Sequence, residues 1–209
     1  DGSVITQWID QSGNTNNAGQ GTANAKPTYA ASALNNMGVV RFTAAQSLDI
    51  TSSNDFSTVI AVMNQASGQS AETKPLGSNI FATTSAGKFG MKRQGSAWMD
   101  SGISSHSPAL ITMQLHPGNY ALYVNGINKG SGTDPVAPTS ATKVGNDFAG
   151  DIAELIAYNT ALSEGVRHKV EGYLAHKWGL ESSLSSTHTY KVGKPAFGGA
   201  QVLTFQPLS

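Results

Sequence analysis

Short runs of β-branched and aromatic residues alternate with turn-forming residues along most of the chain. The runs lie at residues 39–42, 56–63, 79–82, 88–92, 109–115, 120–124, 127–129, 143–145, 151–158 and 202–205. Such short runs, with little helical periodicity between them, are typical of antiparallel sheets. The pattern therefore predicts an all-β protein.

The clearest local signal is a β-hairpin. The strand-like run 120–124 is followed by Asn125-Gly126, and a type I′ turn needs positive φ at both of its central residues, which Asn-Gly supplies at little cost. Residues 66–75 and 130–140 are polar, and we predict long loops there. We expect residues 193–199 to form an extended arm that leads into a returning strand at 201–205.

One segment, residues 163–179, has helical periodicity instead. Apolar residues recur there at steps of three and four, which predicts one buried helical stripe. These residues are Val166, Val170, Tyr173, Leu174 and Trp178. The helix is long enough to lie across one face or edge of the sandwich, and we expect it to close the open end of the β-core.

The ends of this segment carry helix signals of their own. Ser163 can cap the N-terminus, and Glu164 lies in the first turn, where a negative charge is favourable. His176 and Lys177 lie in the last turn, and Gly179 supplies a left-handed stop. The boundaries of the helix are therefore predicted as firmly as its stripe.

Composition limits the possible functions. The chain has 209 residues, 13 Lys and Arg against 13 Asp and Glu, and no cysteine. A single all-β domain spanning residues 1–209 fits this length. Zero net charge disfavours nucleic acid as a partner, and the absence of cysteine excludes disulfides and thiolate chemistry.

No apolar run is long enough to cross a membrane. Because the chain begins at Asp1, we expect it to be part of a longer protein.

Two parts of the chain carry recognisable motifs. The first part comprises residues 4–17 (VITQWIDQSGNTNN), 27–29 (PTY) and 39–42 (VVRF). The second comprises residues 148–163 (FAGDIAELIAYNTALS), 170–180 (VEGYLAHKWGL) and 187–191 (THTYK). Together they resemble concanavalin A-like, laminin-G-like jelly-roll domains of bacterial and phage surface proteins. The resemblance implies a two-sheet antiparallel jelly roll with one C-terminal amphipathic α-helix. Members of this family include lectins, adhesion domains, phage particle components, glycosidases and lyases. The fold alone therefore does not determine the activity.

The acidic residues give little support for an enzyme. Laminarinase-type relatives place catalytic carboxylates at alternate positions of one strand, and no two acids here are two positions apart. Asp151 and Glu154 share a strand, but a spacing of three predicts opposite faces. Glu154 could be a general acid in an apolar cleft, although a structural carboxylate bonded to the backbone or to an Arg or Lys near the helix is favoured. We therefore predict no catalytic residue.

Two loops could hold a calcium ion, which prefers carboxylate, amide and carbonyl oxygens. The first offers Asp10, Asn14 and Asn16, and the second offers Asp147 with the nearby Asp151. The alternative for the first loop is a set of Asx turns that fasten it after the Trp8 strand. The histidines do not suggest a metal site, because no pair has the i, i+4 spacing and His168 lies about 12 Å from His176 along the helix axis.

A sugar site on a β-sandwich typically combines an aromatic platform with amides and carboxylates. The connection 93–100 offers Trp98 as the platform and Asp100 as a carboxylate, with Arg93 as a further candidate. The alternative for Trp98 is core packing. Tyr123 and Asn125 beside the hairpin turn are further candidates, with ordinary hairpin chemistry as their alternative.

These observations favour a non-catalytic extracellular or virion-surface recognition module. We expect it to bind a glycan or cell-surface polysaccharide, with calcium as a candidate cofactor and with neighbouring domains of a larger parent protein as partners. The alternatives are a structural spacer or decoration domain, and a glycosidase or polysaccharide lyase.

Overall fold

The computed structural model describes residues 2–69, 73–77, 81–83, 87–92, 98–116, 118–134, 139–196 and 205–206. These ranges contain one α-helix, α1 (Glu164–Trp178), two 3-10 turns (Ala23–Ala25 and Glu181–Ser183) and sixteen strands. The strands are β1 (Gln7–Asp10), β2 (Ala18–Gly19), β3 (Thr28–Leu34), β4 (Met37–Phe42), β5 (Leu48–Phe56), β6 (Thr58–Gln65), β7 (Thr73–Leu76), β8 (Phe81–Thr83), β9 (Lys88–Met91), β10 (Met99–Ser104), β11 (Ala109–His116), β12 (Gly118–Val124), β13 (Ile127–Asp134), β14 (Thr139–Asn146), β15 (Gly150–Tyr158) and β16 (Phe205–Gln206).

The strands form two antiparallel sheets. One has the order β10-β9-β8-β7-β14-β5-β2-β1-β16, and the other has the order β13-β12-β11-β6-β15-β4-β3. Side chains from both sheets share one apolar core. The predicted all-β jelly-roll sandwich with a single C-terminal helix is confirmed.

The helix adds a third layer on the outer face of the seven-stranded sheet. Val59, Ala61 and Met63 of β6 point into the core between the sheets, whereas Ile60 and Val62 pack beneath α1. Because β6 is buried on both faces, its sequence is a continuous apolar run and does not alternate. The helix therefore covers a sheet face and does not close an end of the sandwich.

The helix boundaries agree with the sequence signals, but its buried face does not. Gly179 has φ 71° and ψ 29°, as a left-handed stop requires, while Ser163 precedes α1 without a side-chain capping bond. Val166 is 44% exposed, which corrects the predicted stripe. Arg167 and Glu171 take its place on the buried face beside Val170, Leu174 and Trp178. A search for apolar residues alone misses a face that buries an ion pair.

Two predicted loops are partly strands. The stretch 66–75 contains the start of β7. The stretch 130–140 contains the last residues of β13 and the first residues of β14, and residues 135–138 between them lie outside the described ranges. β13 is an edge strand rich in Gly and Ser, so it resembles a loop in sequence. Its glycines make room for neighbouring side chains, since a Cβ at Gly132 would lie 2.5 Å from the ring of Tyr120.

The segment after α1, residues 180–191, packs back over the β12–β13 hairpin. Asn125 and Gly126 both have positive φ, as the predicted turn requires, and Ser185 N–H donates to Asn125 O at 3.2 Å. Gly126 also has to be small, because a Cβ there would lie 2.6 Å from His188. Hairpin, helix and C-terminal segment thus form one packed unit. No helix in the described ranges has the length and apolar character needed to span a bilayer.

Candidate functional site

A cavity of about 680 Å³ lies between the first turn of α1, strands β11–β13 and the C-terminal segment. We call it the α1 cavity. Its floor is formed by Gln114, Tyr123 and Arg167, and its rim by His116, Asn128, Glu164, His168 and Thr187. These side chains offer amide, hydroxyl, imidazole, carboxylate and aromatic groups, and Leu162 is the aliphatic side chain among its lining residues.

Strand alternation places the floor residues. Ile111, Met113 and Leu115 of β11 enter the core between the sheets, so Thr112 and Gln114 face the helix, because neighbouring strand residues point to opposite faces. Gln114 Nε2 donates to Leu162 O at 2.8 Å. This bond ties the chain that leads into α1 to the sheet beneath it.

The floor is held by a buried ion pair between Arg167 and Glu171. Arg167 Nη1 lies 3.0 Å and 2.8 Å from the two Glu171 oxygens, and Thr112 Oγ1 donates to Oε1 at 2.7 Å. The guanidinium carbon lies 3.8 Å from the ring centroid of Tyr123. A carboxylate and a guanidinium with these partners are rigid and mutually neutralised.

Two histidines complete the network. Tyr190 N–H donates to His188 Nδ1 at 3.2 Å, so the His188 proton resides on Nε2, which lies 3.2 Å from Glu171 Oε2. Arg167 Nη2 donates to His168 Nε2 at 3.2 Å, which leaves the His168 proton on Nδ1, 3.1 Å from Thr189 Oγ1. Through these hydrogen bonds the two histidines fasten the C-terminal segment to α1.

These side chains also raise the question of a metal. His168, Glu171 and His188 form the only group of three His, Cys, Asp or Glu side chains in the described ranges whose ligand atoms lie within 4.8 Å of one another. Arg167, however, donates to both Glu171 oxygens and to His168. A fixed positive charge on these same atoms opposes a cation. The cluster is an ion-pair network rather than a metal centre.

The network makes stability depend on pH. Burial, together with Arg167 and His188, lowers the pKa of His168 below its ordinary value, despite the opposing carboxylates of Glu171 and Glu164. The unfolded chain then binds the proton more readily than the folded domain, so stability is full above about pH 6.5 and declines as pH falls toward the lowered pKa.

Urea unfolding between pH 7.5 and 5.5 should show this decline. His168→Gln should flatten it and the exposed His116→Gln should not; an unchanged slope in His168→Gln would contradict the assignment.

The predicted ligand residues do not form one site. Tyr123 lines the α1 cavity, while Asn125 Oδ1 accepts from Leu110 N–H at 3.0 Å and so ties the hairpin turn to β11. Trp98 directly precedes β10, and Asp100 lies within it; β10 is an edge strand of the other sheet. Trp98 is half-buried with Lys92 Nζ 5.3 Å from its ring centroid, whereas Trp8 and Trp178 are 1% and 4% exposed. Arg93 lies outside the described residues.

The first predicted calcium loop is built around Asp10. Its two carboxylate oxygens accept from Ser12 N–H and Oγ–H and from Asn16 N–H at 2.8–2.9 Å. Asn14 N–H is bonded to Ser12 Oγ at 3.1 Å. These bonds are the Asx-turn alternative to a metal loop, and calcium here stays a prediction.

In the second predicted loop the acids have separate surroundings. Asp147 is exposed with φ 52°. Asp151 accepts from Arg41 through both oxygens, at 2.7 Å and 2.9 Å. Arg41 thus occupies both oxygens of Asp151, and calcium binding at this loop also stays a prediction.

Glu154 is a buried carboxylate that contacts two residues of α1. It is 0% exposed and lies beneath α1, where its Oε2 accepts from Trp178 Nε1–H at 2.7 Å and lies 2.8 Å from Lys177 Nζ. The contact with Lys177 is the expected pairing with an Arg or Lys near the helix, and a non-catalytic role of Glu154 stays a prediction.

The predicted separation of Asp151 and Glu154 onto opposite faces is wrong. Asp151 lies opposite Asn64 of β6, and Glu154 lies opposite Val62, because a β-bulge inserts Ala153 between them. Positions 62 and 64 are two apart, so both acids are on the helix-side face. They still have separate partners, Arg41 for one and Lys177 for the other.

Sequence reasoning did not identify Arg167, Glu171 and His188 as neighbours. One signal was available: Arg167 and Glu171 are four apart, the spacing of a helical ion pair. The joining of His188 to them depends on how the C-terminal segment folds back, which no local pattern encodes. The motif 187–191 was recognised only as part of the resemblance.

Comparison with known proteins gives structural neighbours but no sequence relative. No family model matches the chain, and no curated protein matches it. The fold is similar to domain 4 of AbnA, a GH43 extracellular arabinanase from Geobacillus stearothermophilus, solved in complex with arabinotriose. The identity is 18% over 78% of this chain and 84% of that chain, with a TM-score of 0.50.

Two larger proteins contain a similar fold. Trypanosoma rangeli sialidase in complex with sialic acid matches at 12% identity over 83% of this chain and 33% of that chain, with a TM-score of 0.52. The enzymatically active domain of bacteriophage CBA120 tailspike protein 2 matches at 14% identity over 86% and 31%, with a TM-score of 0.51. This chain thus spans about a third of each. Its fold is that of β-sandwich domains found in carbohydrate-binding and carbohydrate-active proteins.

Proposed function

We propose that this chain is a non-catalytic carbohydrate-recognition domain of an extracellular or virion-surface protein, and that its sugar site is the α1 cavity. The observation that carries the proposal is the polar lining of this cavity on a rigid floor. Pyranose and furanose rings present many hydroxyls, and amides, carboxylates and imidazoles such as those lining this cavity can bind hydroxyls through hydrogen bonds. The fold, shared with carbohydrate-related domains, supports the same function.

The rigidity of the floor supports recognition. Weak ligands gain affinity when the site does not have to be ordered on binding. Arg167, Glu171 and Gln114 are each buried and bonded before any ligand arrives. At the rim, the side chains of His116 and Asn128 are exposed.

The buried carboxylates support a non-catalytic role. Glu154 is sealed beneath the helix with Lys177 and Trp178, and Glu171 is held by Arg167, Thr112 and His188. Neither has an open approach for a glycosidic oxygen, which a general acid must reach within hydrogen-bond distance.

A glycan array followed by calorimetry tests the proposal. We expect binding to at least one oligosaccharide, and we expect the double variant His116→Ala/Asn128→Ala to weaken it by about tenfold or more, since each lost hydrogen bond is worth about 1 kcal/mol. Asp55→Asn, an exposed change on the other sheet, is the matched control. Thermal melts establish that each variant is folded.

The same experiment distinguishes the alternatives. Loss of binding in Trp98→Ala, with the double variant unaffected, would place the site at Trp98 and Asp100. A blank array would favour a spacer or decoration domain. Release of reducing ends or unsaturated products, abolished by Glu154→Gln, would contradict the non-catalytic assignment.

Calcium is tested in the same assay. If the Asp10–Asn16 loop, or Asp147 with Asp151, holds an ion that assists recognition, addition of EDTA should lower the affinity and added calcium should restore it. Equal affinity under both conditions would remove calcium from the proposal and leave the sugar site intact.

A further inference from the structure

We propose that the α1 cavity selects uncharged sugars and disfavours sugars that carry a carboxylate. This inference rests on the carbohydrate-binding function proposed above and names the class of its ligand. It follows from the charges around the cavity and from the atoms that are already occupied.

The permanent charges at the cavity do not favour an anion. Its lining contains one cation, Arg167, and one carboxylate, Glu164. Glu171, directly behind the floor, carries a second negative charge that is bonded to Arg167. The three groups together leave an excess of one negative charge at the site.

The arginine is also poorly placed to bind a sugar carboxylate. Proteins usually recognise carboxylates with two parallel N–H donors of a guanidinium. Nη1 of Arg167 donates to both oxygens of Glu171, and Nη2 donates to His168. Tyr123 covers one face of the guanidinium at 3.8 Å. A sugar carboxylate that used Nη1 and Nη2 as its two donors would therefore compete with Glu171 and His168 for them.

Glu164 adds a repulsive element at the mouth of the cavity. Its side chain is 78% exposed, and one of its oxygens lies 3.9 Å from Arg167 Nη2. A carboxylate accepts hydrogen bonds from neutral hydroxyls and repels another carboxylate. Hydroxyl-rich neutral sugars therefore fit these donors and acceptors, whereas uronic and sialic acids do not.

Matched pairs of sugars test this selectivity. Lactose and 3′-sialyllactose form one pair, and galactan and galacturonan oligosaccharides of equal length form another, each titrated by calorimetry at pH 7.5. We expect the neutral member of a bound pair to bind at least about tenfold more tightly. Glu164→Gln should reduce the ratio of neutral to acidic affinity several-fold, and Asp55→Asn, which makes the same charge change on the other sheet, should leave it unaltered. High salt should also reduce the ratio.

Three results would overturn the inference. Equal or tighter binding of the acidic members, with the ratio unaffected by Glu164→Gln, would refute the selectivity while leaving the carbohydrate-binding function standing. A complete lack of binding to neutral and acidic sugars across the array would refute both. A ratio that changes as much in Asp55→Asn as in Glu164→Gln would show that overall charge, and not the cavity, is responsible.

Discussion

Glu171→Ala should lower the free energy of unfolding by about 3–5 kcal/mol, because removing one member of a buried ion pair leaves the other charge buried without compensation. Glu171 is 0% exposed, and it accepts hydrogen bonds from Arg167, Thr112 and His188. Its loss therefore removes the partner of an arginine and of two further donors. Urea unfolding followed by circular dichroism measures the effect.

Two further variants identify the cause. Glu164→Gln changes the exposed carboxylate near the same arginine and should cost less than about 1 kcal/mol, as surface ion pairs do. Arg167→Met/Glu171→Leu removes both charges and should recover most of the lost stability. A loss of less than about 1 kcal/mol in Glu171→Ala would contradict the buried network.

Trp178→Ala should lower the free energy of unfolding by a similar amount, about 3–5 kcal/mol, because it leaves a cavity between α1 and the seven-stranded sheet. Trp178 is 4% exposed and belongs to the apolar cluster beneath the helix. The change also removes the Nε1–H donor of Glu154 at 2.7 Å, which leaves that buried carboxylate with Lys177.

Val166→Ala is the matched control on the same helix. Its side chain is 44% exposed, so the cost should stay near 0.5 kcal/mol or below, in the range of surface substitutions (about ±0.5 kcal/mol). A loss in Val166→Ala equal to that in Trp178→Ala would restore the apolar stripe predicted from the sequence and contradict the orientation of the helix.

Features encoded by neighbouring residues were predictable. The Asn125-Gly126 turn and the Gly179 stop depend on local φ preferences, and both occur where the sequence places them. The apolar runs of β6 and β15 likewise indicated strands, because a strand buried on two faces has to be apolar at almost every position.

Features set by distant contacts were not predictable. The strand β13 is rich in Gly and Ser because Tyr120 and Met99 pack against its glycines. The bulge at Ala153 puts Asp151 and Glu154 on the same face of the sheet, where a regular strand would put them on opposite faces. Nothing in the local sequence signals this bulge. The buried face of the helix can include Arg167 and Glu171 because Thr112 and His188, which are distant in sequence, hydrogen-bond to Glu171.

The candidate site shows the same division. Tyr123 was predicted as a ligand residue and lines the α1 cavity. Gln114, Thr187 and His168 reach it from a strand, the C-terminal segment and the helix, which are brought together only by the tertiary fold. Trp98 was singled out for its residue type, and its half-buried position on the other sheet fits neither a core tryptophan nor a residue of this cavity.

The most direct test of the central claim is an NMR titration of the ¹⁵N-labelled domain with the neutral oligosaccharide that binds best on the array. The sugar should shift the amide resonances of the cavity, namely the side-chain amides of Gln114 and Asn128 and the backbone amides of Glu164, His168 and Thr187. Saturation of these shifts should give the calorimetric affinity. Shifts confined to the surroundings of Trp98 and Asp100, with the cavity resonances unmoved, would contradict the account.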